Sequence, residues 1–499
     1  MKQLTGLDVT FLAMESASQF GHVSSLSIYE RPGDGYDPFD AWRAQIERRL
    51  HLLEPLTRRL VEVPFNIDHP FWVDDPDFDL DFHVRHTAVP PPGGDAELSE
   101  LVARIIGRPL DRARPLWETY VIEGLPENRF GILTKVHHAT VDGASGVELL
   151  TLMLDQEPGG DPIVVPDDAV RRPERLPTDT ELVMRATANL VRKPARGLLL
   201  TARALRELGE ATRNPALVAI ARQWRQSLRG PLGTVLNIGR NREEERDPPP
   251  PLPNLRAPRT PFNASISPHR RFAMRSTSLD TIKAIKNASG ATVNDVVMAV
   301  CSGALRCYLD ERDALPAEPL VAMIPVSIRT GEETEKWTNR VSGLLALLPT
   351  DEPEPLARLQ RVHDAMVAGK QLFDAIPAET LTNFSEFPSP ALFARATRMA
   401  TRLRLSERLA PLNLVISNVP GPRHPLYAAG ARLLHYYPVS TIVDGQGLNI
   451  TVQSYLDVLD FGLVACRELV PDLEHLADLI VEEIDVLAEL TGVAAGQPQ

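Results

Sequence analysis

From Phe130 to His138 the chain alternates in a way that suits only an extended strand. Phe130, Ile132, Thr134, Val136 and His138 fall on one face, and Gly131, Leu133, Lys135 and His137 fall on the other. The strand therefore ends in two adjacent imidazoles that point in opposite directions. Beyond them come Asp142 and Gly143, completing an HHxxxDG pattern, and then Ser145-Gly146-Val147-Glu148, which has the S-x-x-E form of a helix cap. Val147, Leu149, Leu150, Leu152, Met153 and Leu154 supply the apolar face of the buried helix that should follow. A rigid strand-to-helix turn is the expected setting for His138 and Asp142. Histidines aimed apart are poor joint ligands for one metal, but they suit a base and its support.

The chain of 499 residues exceeds the size at which one core usually stops growing, so two domains are expected. Residues 1–155 read as a mixed unit: a strand His22 to Tyr29, a helix near Asp40 to Leu50, a helix near Glu97 to Ile106, and the hairpin closing at His138. Residues 156–262 differ in character and end in a run with seven prolines between Pro248 and Pro261, which is extended and cannot build a core. A second unit, 263–499, carries strands near Leu320 to Ile328, Val341 to Leu348, Leu412 to Ser417, Leu448 to Ser454 and Phe461 to Cys466. It closes with a helix from about Asp472 to Leu490. The fold class is α/β of the mixed α+β kind.

Three cysteines, Cys301, Cys307 and Cys466, do not make a disulfide framework, and a reducing compartment fits them. No basic start with an apolar core and cleavage site opens the chain, so no signal peptide is expected. No window approaches the ~20 apolar residues of a spanning helix. The expected location is cytoplasmic.

A net charge of −13 argues against nucleic-acid binding, yet the charge is uneven. Between Glu181 and Arg240 eleven Lys or Arg face three Glu, a basic island of +8. Within it, Leu198, Ala202, Leu205 and Leu208 oppose Arg203, Arg206, Glu207 and Glu210. A second run sets Leu217, Ile220, Ala221, Trp224 and Leu228 opposite Arg222, Arg225, Gln226 and Arg229. Such helices suit an anionic lipid interface, at the inner membrane face or on lipid inclusions. They equally suit packing of the apolar faces on the protein with the arginines in water.

The HHxxxDG stretch, Pro115-Leu116-Trp117-Glu118, Asn294-Asp295 and Ser417-Asn418-Val419-Pro420-Gly421-Pro422 occur in the order of the HHxxxDG, PLW, ND and NVPGP elements of one family. Together with Leu7-Asp8-Val9-Thr10-Phe11-Leu12 and Ile324 to Arg329, they make the chain resemble the bacterial wax ester synthase/diacylglycerol acyltransferase family. That family lies within the chloramphenicol acetyltransferase and condensation-domain superfamily. HHxxxDG alone would indicate only the superfamily; its combination with PLW and NVPGP is more specific. The resemblance implies two chloramphenicol acetyltransferase-like domains, each a mixed sheet flanked by helices, with an active-site channel between them.

It also implies transfer of a long-chain acyl group from acyl-CoA to diacylglycerol or a fatty alcohol, with acyl-CoA a substrate and no cofactor or metal. His138, the second histidine of the motif, would be the general base, and no covalent acyl-enzyme would form. His137 reads as a support hydrogen-bonded behind the strand. Asp142 could be a second base, but the resemblance favours an orienting salt bridge, for which Arg329 is the candidate partner. Gly143 would keep the acyl-CoA path free of a side chain, or simply relax the turn. Asn294, in the first turn of a helix, could donate to a developing oxyanion. Asp295 has a further explanation as a capping-box acid. Trp117, Pro420 and Gly421 complete the substrate-contacting candidates, although a tryptophan beside Pro115 and Leu116 more often marks a packed corner. There is no G-x-S-x-G elbow, zinc spacing or phosphate loop. Two other readings are a condensation-type enzyme using carrier-bound acyl donors and a catalytically silent lipid-surface scaffold. Acceptor preference, chain length and oligomeric state are not fixed by these motifs.

Overall fold

The computed structural model describes residues 1–140, 149–160, 175–189, 257–327, 341–374 and 412–493. The alternation that ends at His138 becomes strand β7 (Arg129–His137). It pairs antiparallel with β2 (His22–Glu30) on one side and with β6 (Trp117–Glu123) on the other. β5 (Val84–Ala88) joins β6 in parallel. β13 (Ala431–Val439) joins the free edge of β2, with the short β12 (Tyr427–Ala428) outside it. The result is a mixed six-stranded sheet in the order β12-β13-β2-β7-β6-β5.

Two strands of this sheet thus come from residues 427–439, so a division at 155 and 263 cuts the sequence but not the sheet. Local alternation marks a strand without naming its partner. The edge of β2 would otherwise present unpaired backbone donors and acceptors.

The second sheet holds β8 (Arg270–Ser278), β9 (Leu320–Ser327), β10 (Val341–Leu348), β11 (Leu414–Val419), β14 (Leu448–Tyr455) and β15 (Val458–Cys466). Its order is β10-β9-β11-β14-β15-β8, parallel from β9 through β11 to β14 and antiparallel elsewhere. Every residue of β15 is buried, which fits its mainly apolar sequence; Asp460 is the one charged residue in it. A small third sheet joins β1 (Lys2–Gln3), β4 (Phe71–Asp74) and β3 (Arg58–Val61).

Three apolar cores follow from these sheets. On the second sheet lie the helices Val293–Asp310 and Leu473–Leu490. The first of them is buried from Asp295 through Leu305, as its apolar surface on all sides demands. One face of the first sheet buries Trp117, Phe130, Ile132 and Val136 against Trp42, Leu149 and Met153. Its other face buries Leu26, Ile122 and Leu133 under helix α4 (Asp95–Ile106), in a core that also takes in Phe272, Met274 and Val464 of the second sheet. That shared core joins the two sheets.

Most of the span 156–262, including the basic runs and the proline run as far as residue 256, lies outside the described residues. Within 175–189 a helix packs Leu182 and Ala186 on Val63, Phe71 and Val73. No single helix among the described residues is long and apolar enough to cross a membrane.

Candidate active site

The two histidines meet very different surroundings. His137 is buried on the α4 side of the sheet. The backbone N–H of Ala139 donates to its Nδ1 at 3.0 Å, which places the ring proton on Nε2, 3.2 Å from Glu15 Oε1. Glu15 Oε1 also accepts the Gly21 N–H at 2.9 Å. Its Oε2 accepts Arg112 Nε at 3.0 Å and Nη2 at 2.6 Å. Burial alone would raise the Glu15 pKa, but His137, Gly21 and Arg112 together outweigh it and hold the carboxyl down at about 2. Glu15 is therefore an anion fixed on three donors.

Two more polar groups share that side. Lys135 is buried, donates to the Arg108 carbonyl at 2.5 Å, and is pulled down to about 8 by burial. His22, directly opposite His137 in the β2–β7 register, lies 3.0 Å from the Ile106 carbonyl through Nε2. Burial, with the nearby Lys135, pushes its pKa well below the usual histidine value. It is neutral at neutral pH.

His138 is the first residue beyond β7, in the turn that follows it. Its backbone N–H donates to the Gly21 carbonyl at 2.8 Å, and its half-buried ring stacks nearly parallel on Phe11 with 4.0 Å between centroids. Phe11 belongs to α1 (Gly6–Ala13), whose start is closed by a reciprocal capping box between Thr5 and Asp8. The sheet face that bears Ile132 and Val136 carries a cavity of about 80 Å3, lined by Val23, Ser25, Tyr29, Ile132, Thr134 and Val136 among others; His138 is not one of its lining residues.

Several predicted residues sit elsewhere. Asn294 lies at the start of the Val293–Asp310 helix, where Asn418 of β11 approaches it, Nδ2 to Oδ1, at 3.5 Å; the ND and NVPGP elements thus meet in space. Asp295 is buried: its carboxylate accepts the Thr292 N–H at 2.8 Å, completing the capping box, and lies 2.8 Å from His363 Nδ1. Trp117 lies in the core of the first sheet. Its wholly buried indole donates to the Leu56 carbonyl at 2.6 Å and stacks on His83. Pro420 is exposed, and Gly421 donates to Ser454 Oγ at 3.2 Å. A side chain on Gly421 would run into the Ser454 carbonyl, so close packing on β14 requires glycine there. Asp142, Gly143 and the partner proposed for Asp142, Arg329, lie outside the described residues. Among the described residues no group of three His, Cys, Asp or Glu is placed to hold a metal ion.

Sequence reasoning missed Glu15, Gly21 and Arg112 as members of this site. Glu15 stands 122 positions from His137, so no local spacing could join them. Phe11 was visible only as part of the opening Leu7–Leu12 stretch.

Comparison with known proteins fits this geometry. Residues 4–297 match the family described as wax ester synthase/diacylglycerol acyltransferase catalytic domain, and residues 337–488 match the WS/DGAT C-terminal domain. An O-acyltransferase WSD of Acinetobacter baylyi is 35% identical over 499 residues, covering 100% of this chain and 98% of that protein. A putative diacylglycerol O-acyltransferase of Mycobacterium tuberculosis is 36% identical, covering 98% of this chain and 100% of that one. Among solved structures, the wax ester synthase/diacylglycerol acyltransferase of Marinobacter aquaeolei VT8 superposes with a TM-score of 0.68 at 31% identity, over 99% of this chain and 100% of that one. The first condensation domain of the CDA synthetase, at 16% identity and a TM-score of 0.53 over 100% of this chain and 97% of its own, shares the fold. On its sequence, its two mixed sheets and its paired histidines, the chain belongs to the wax ester synthase/diacylglycerol acyltransferase family.

Proposed function

We propose that this protein transfers a long-chain acyl group from the thioester of acyl-CoA to a lipid hydroxyl, that of diacylglycerol, a fatty alcohol or both. His138 is the general base. Its imidazole takes the hydroxyl proton as the alcohol oxygen bonds to the thioester carbon; the C–S bond then breaks and the proton passes to the departing thiolate. No acyl-enzyme is needed, because a thioester is already activated for attack.

The observation that carries this reading is the division between the neighbouring rings. His137 is committed, through both nitrogens, to Ala139 and Glu15, whereas the half-buried His138 ring stacks on Phe11 of α1. An acyl chain seated on the sheet face that bears the cavity, between β2, β7 and residues 149–153, would reach the base from an apolar side. Asp142, paired with Arg329, would orient the turn, and the Asn294 amide would donate to the tetrahedral oxyanion. The basic island between Glu181 and Arg240 supports peripheral contact with an anionic lipid surface, where both substrates are found.

The experiment is an acceptor panel with palmitoyl-CoA, comparing diacylglycerol, monoacylglycerol and long-chain alcohols by product analysis. Esters on diacylglycerol or alcohol support the reading. Absence of ester with every acceptor, alongside transfer from a carrier-bound acyl donor, would replace it with condensation-type chemistry.

A further inference from the structure

We propose that the N-terminal segment positions the catalytic pair: Glu15, braced by Arg112, locks His137 and the backbone of His138 through Gly21, while Phe11 holds the His138 ring. The inference rests on His138 being the base.

Three contacts converge on two adjacent residues, and Arg112 braces them from behind. Arg112 donates to Glu15 Oε2 and, through Nη2, to the Leu12 carbonyl at 2.6 Å, so one guanidinium ties the carboxylate to the last turn of α1. Glu15 Oε1 receives both the Gly21 N–H and the proton of His137 Nε2. Gly21 then turns its carbonyl to the His138 N–H, so the same residue bridges Glu15 and the base. Finally, Phe11, four residues before Glu15, covers one side of the His138 ring. The chain has to be glycine at the bridge. A Cβ on Gly21 would stand 2.5 Å from His137 Nε2 and 2.8 Å from Cε1, closer than side-chain atoms pack.

The chemistry of these groups explains why a charged residue is used. A buried His137 Nε2–H needs an acceptor, and a carboxylate carries no proton of its own to compete. The remaining charges on this side are already paired or neutral: Lys135 donates to backbone carbonyls near Glu118, Arg112 also meets Glu62 at 3.4 Å, and His22 is neutral. Glu15 therefore acts through His137 and Gly21, without touching substrate, and its effect is on the orientation of the base. Displacement of a reacting group by about 1 Å is enough to cost on the order of 100-fold in rate.

The test compares Glu15→Ala, Glu15→Gln and Phe11→Leu with the unaltered protein and with His138→Ala, using palmitoyl-CoA and the preferred acceptor. Glu15→Ala should lower kcat roughly 10- to 100-fold with KM for both substrates within about twofold. Glu15→Gln should recover most of that loss, because its Oε1 still accepts from His137 and Gly21. Phe11→Leu, which keeps the apolar contact without the flat ring, should lower kcat several-fold and serves if Glu15→Ala does not fold. Selective 15N-histidine labelling should show His137, assigned by its loss in His137→Ala, as the Nε2–H tautomer in the unaltered protein and in Glu15→Gln, but as a tautomer mixture in Glu15→Ala. A kcat for Glu15→Ala within twofold of normal, a loss confined to KM, an unchanged tautomer, or no recovery in Glu15→Gln overturns the proposal. An active His138→Ala would instead remove the base itself, which separates that failure from this one.

Discussion

The two faces of β7 are built on opposite principles. Its outer face, with Phe130, Ile132 and Val136, is stabilised by burial of apolar surface against Trp117, Trp42 and Met153, and it carries a cavity. Its inner face, under α4, encloses His22, Lys135 and His137 among apolar residues and pairs both His137 nitrogens, Lys135 Nζ and His22 Nε2 with backbone groups or Glu15, while His22 Nδ1 has no hydrogen-bond partner. An apolar face tolerates a gap, since an unfilled volume costs only lost contacts. On a buried polar face each unpaired group costs about 1–3 kcal/mol, so most of its donors and acceptors are paired. The outer face thus carries open volume, and the inner face holds the His137 ring through both of its nitrogens.

That contrast breaks most visibly through the outer core. Trp117→Ala should destabilise the protein by about 3–5 kcal/mol, a loss of the size expected for a large core aromatic, and since the indole carries no titratable group any pH dependence should come only through His83, on which it stacks. Denaturant unfolding at several pH values would check both statements. On the inner face the loss should instead depend on pH. The Glu15 carboxyl is held at about 2 in the folded protein against an ordinary 4.5. Its contribution is therefore full above pH 4.5 and disappears as pH falls towards 2, a difference on the order of 3 kcal/mol. Glu15→Gln should be less stable than the unaltered protein at pH 7 and approach it below pH 3 in acid titration followed by circular dichroism. A constant gap across that range would remove the charged character of the inner face.

His137→Ala should cost about 1–3 kcal/mol by leaving the Ala139 N–H and Glu15 without their partner, read as a lower midpoint in urea. Smallest, and remote from both faces, Asp295→Ala should cost about 1 kcal/mol through the lost cap of the Val293–Asp310 helix, read as a modest fall in Tm. A much larger fall would mean that the His363 contact outweighs the cap.

The local part of this architecture was legible in the sequence. Period-two alternation placed β7, β9, β10, β14 and β15 within a residue or two at most ends, and the T-x-x-D spacing at Thr292–Asp295 marked the helix start. At β15 the expected start, Phe461, fell three residues late because Val458, Leu459 and Asp460 break the alternation, and all three are buried. What stayed hidden was partnership at long range. Nothing local assigns residues 431–439 to the first sheet, and nothing near Glu15 announces a histidine 122 residues away. The motif residues Asn294 and Asn418 were visible separately; their meeting was not. Residue type and period fix which way a side chain points, whereas the fold decides what it meets.

The central claim is tested most directly by measuring turnover of palmitoyl-CoA and acceptor in His138→Ala and His137→Ala side by side, each shown to be folded. We expect His138→Ala to lose at least about 100-fold in kcat, the scale of a missing general base, while His137→Ala retains measurably more. Near-normal turnover by a folded His138→Ala would contradict the account.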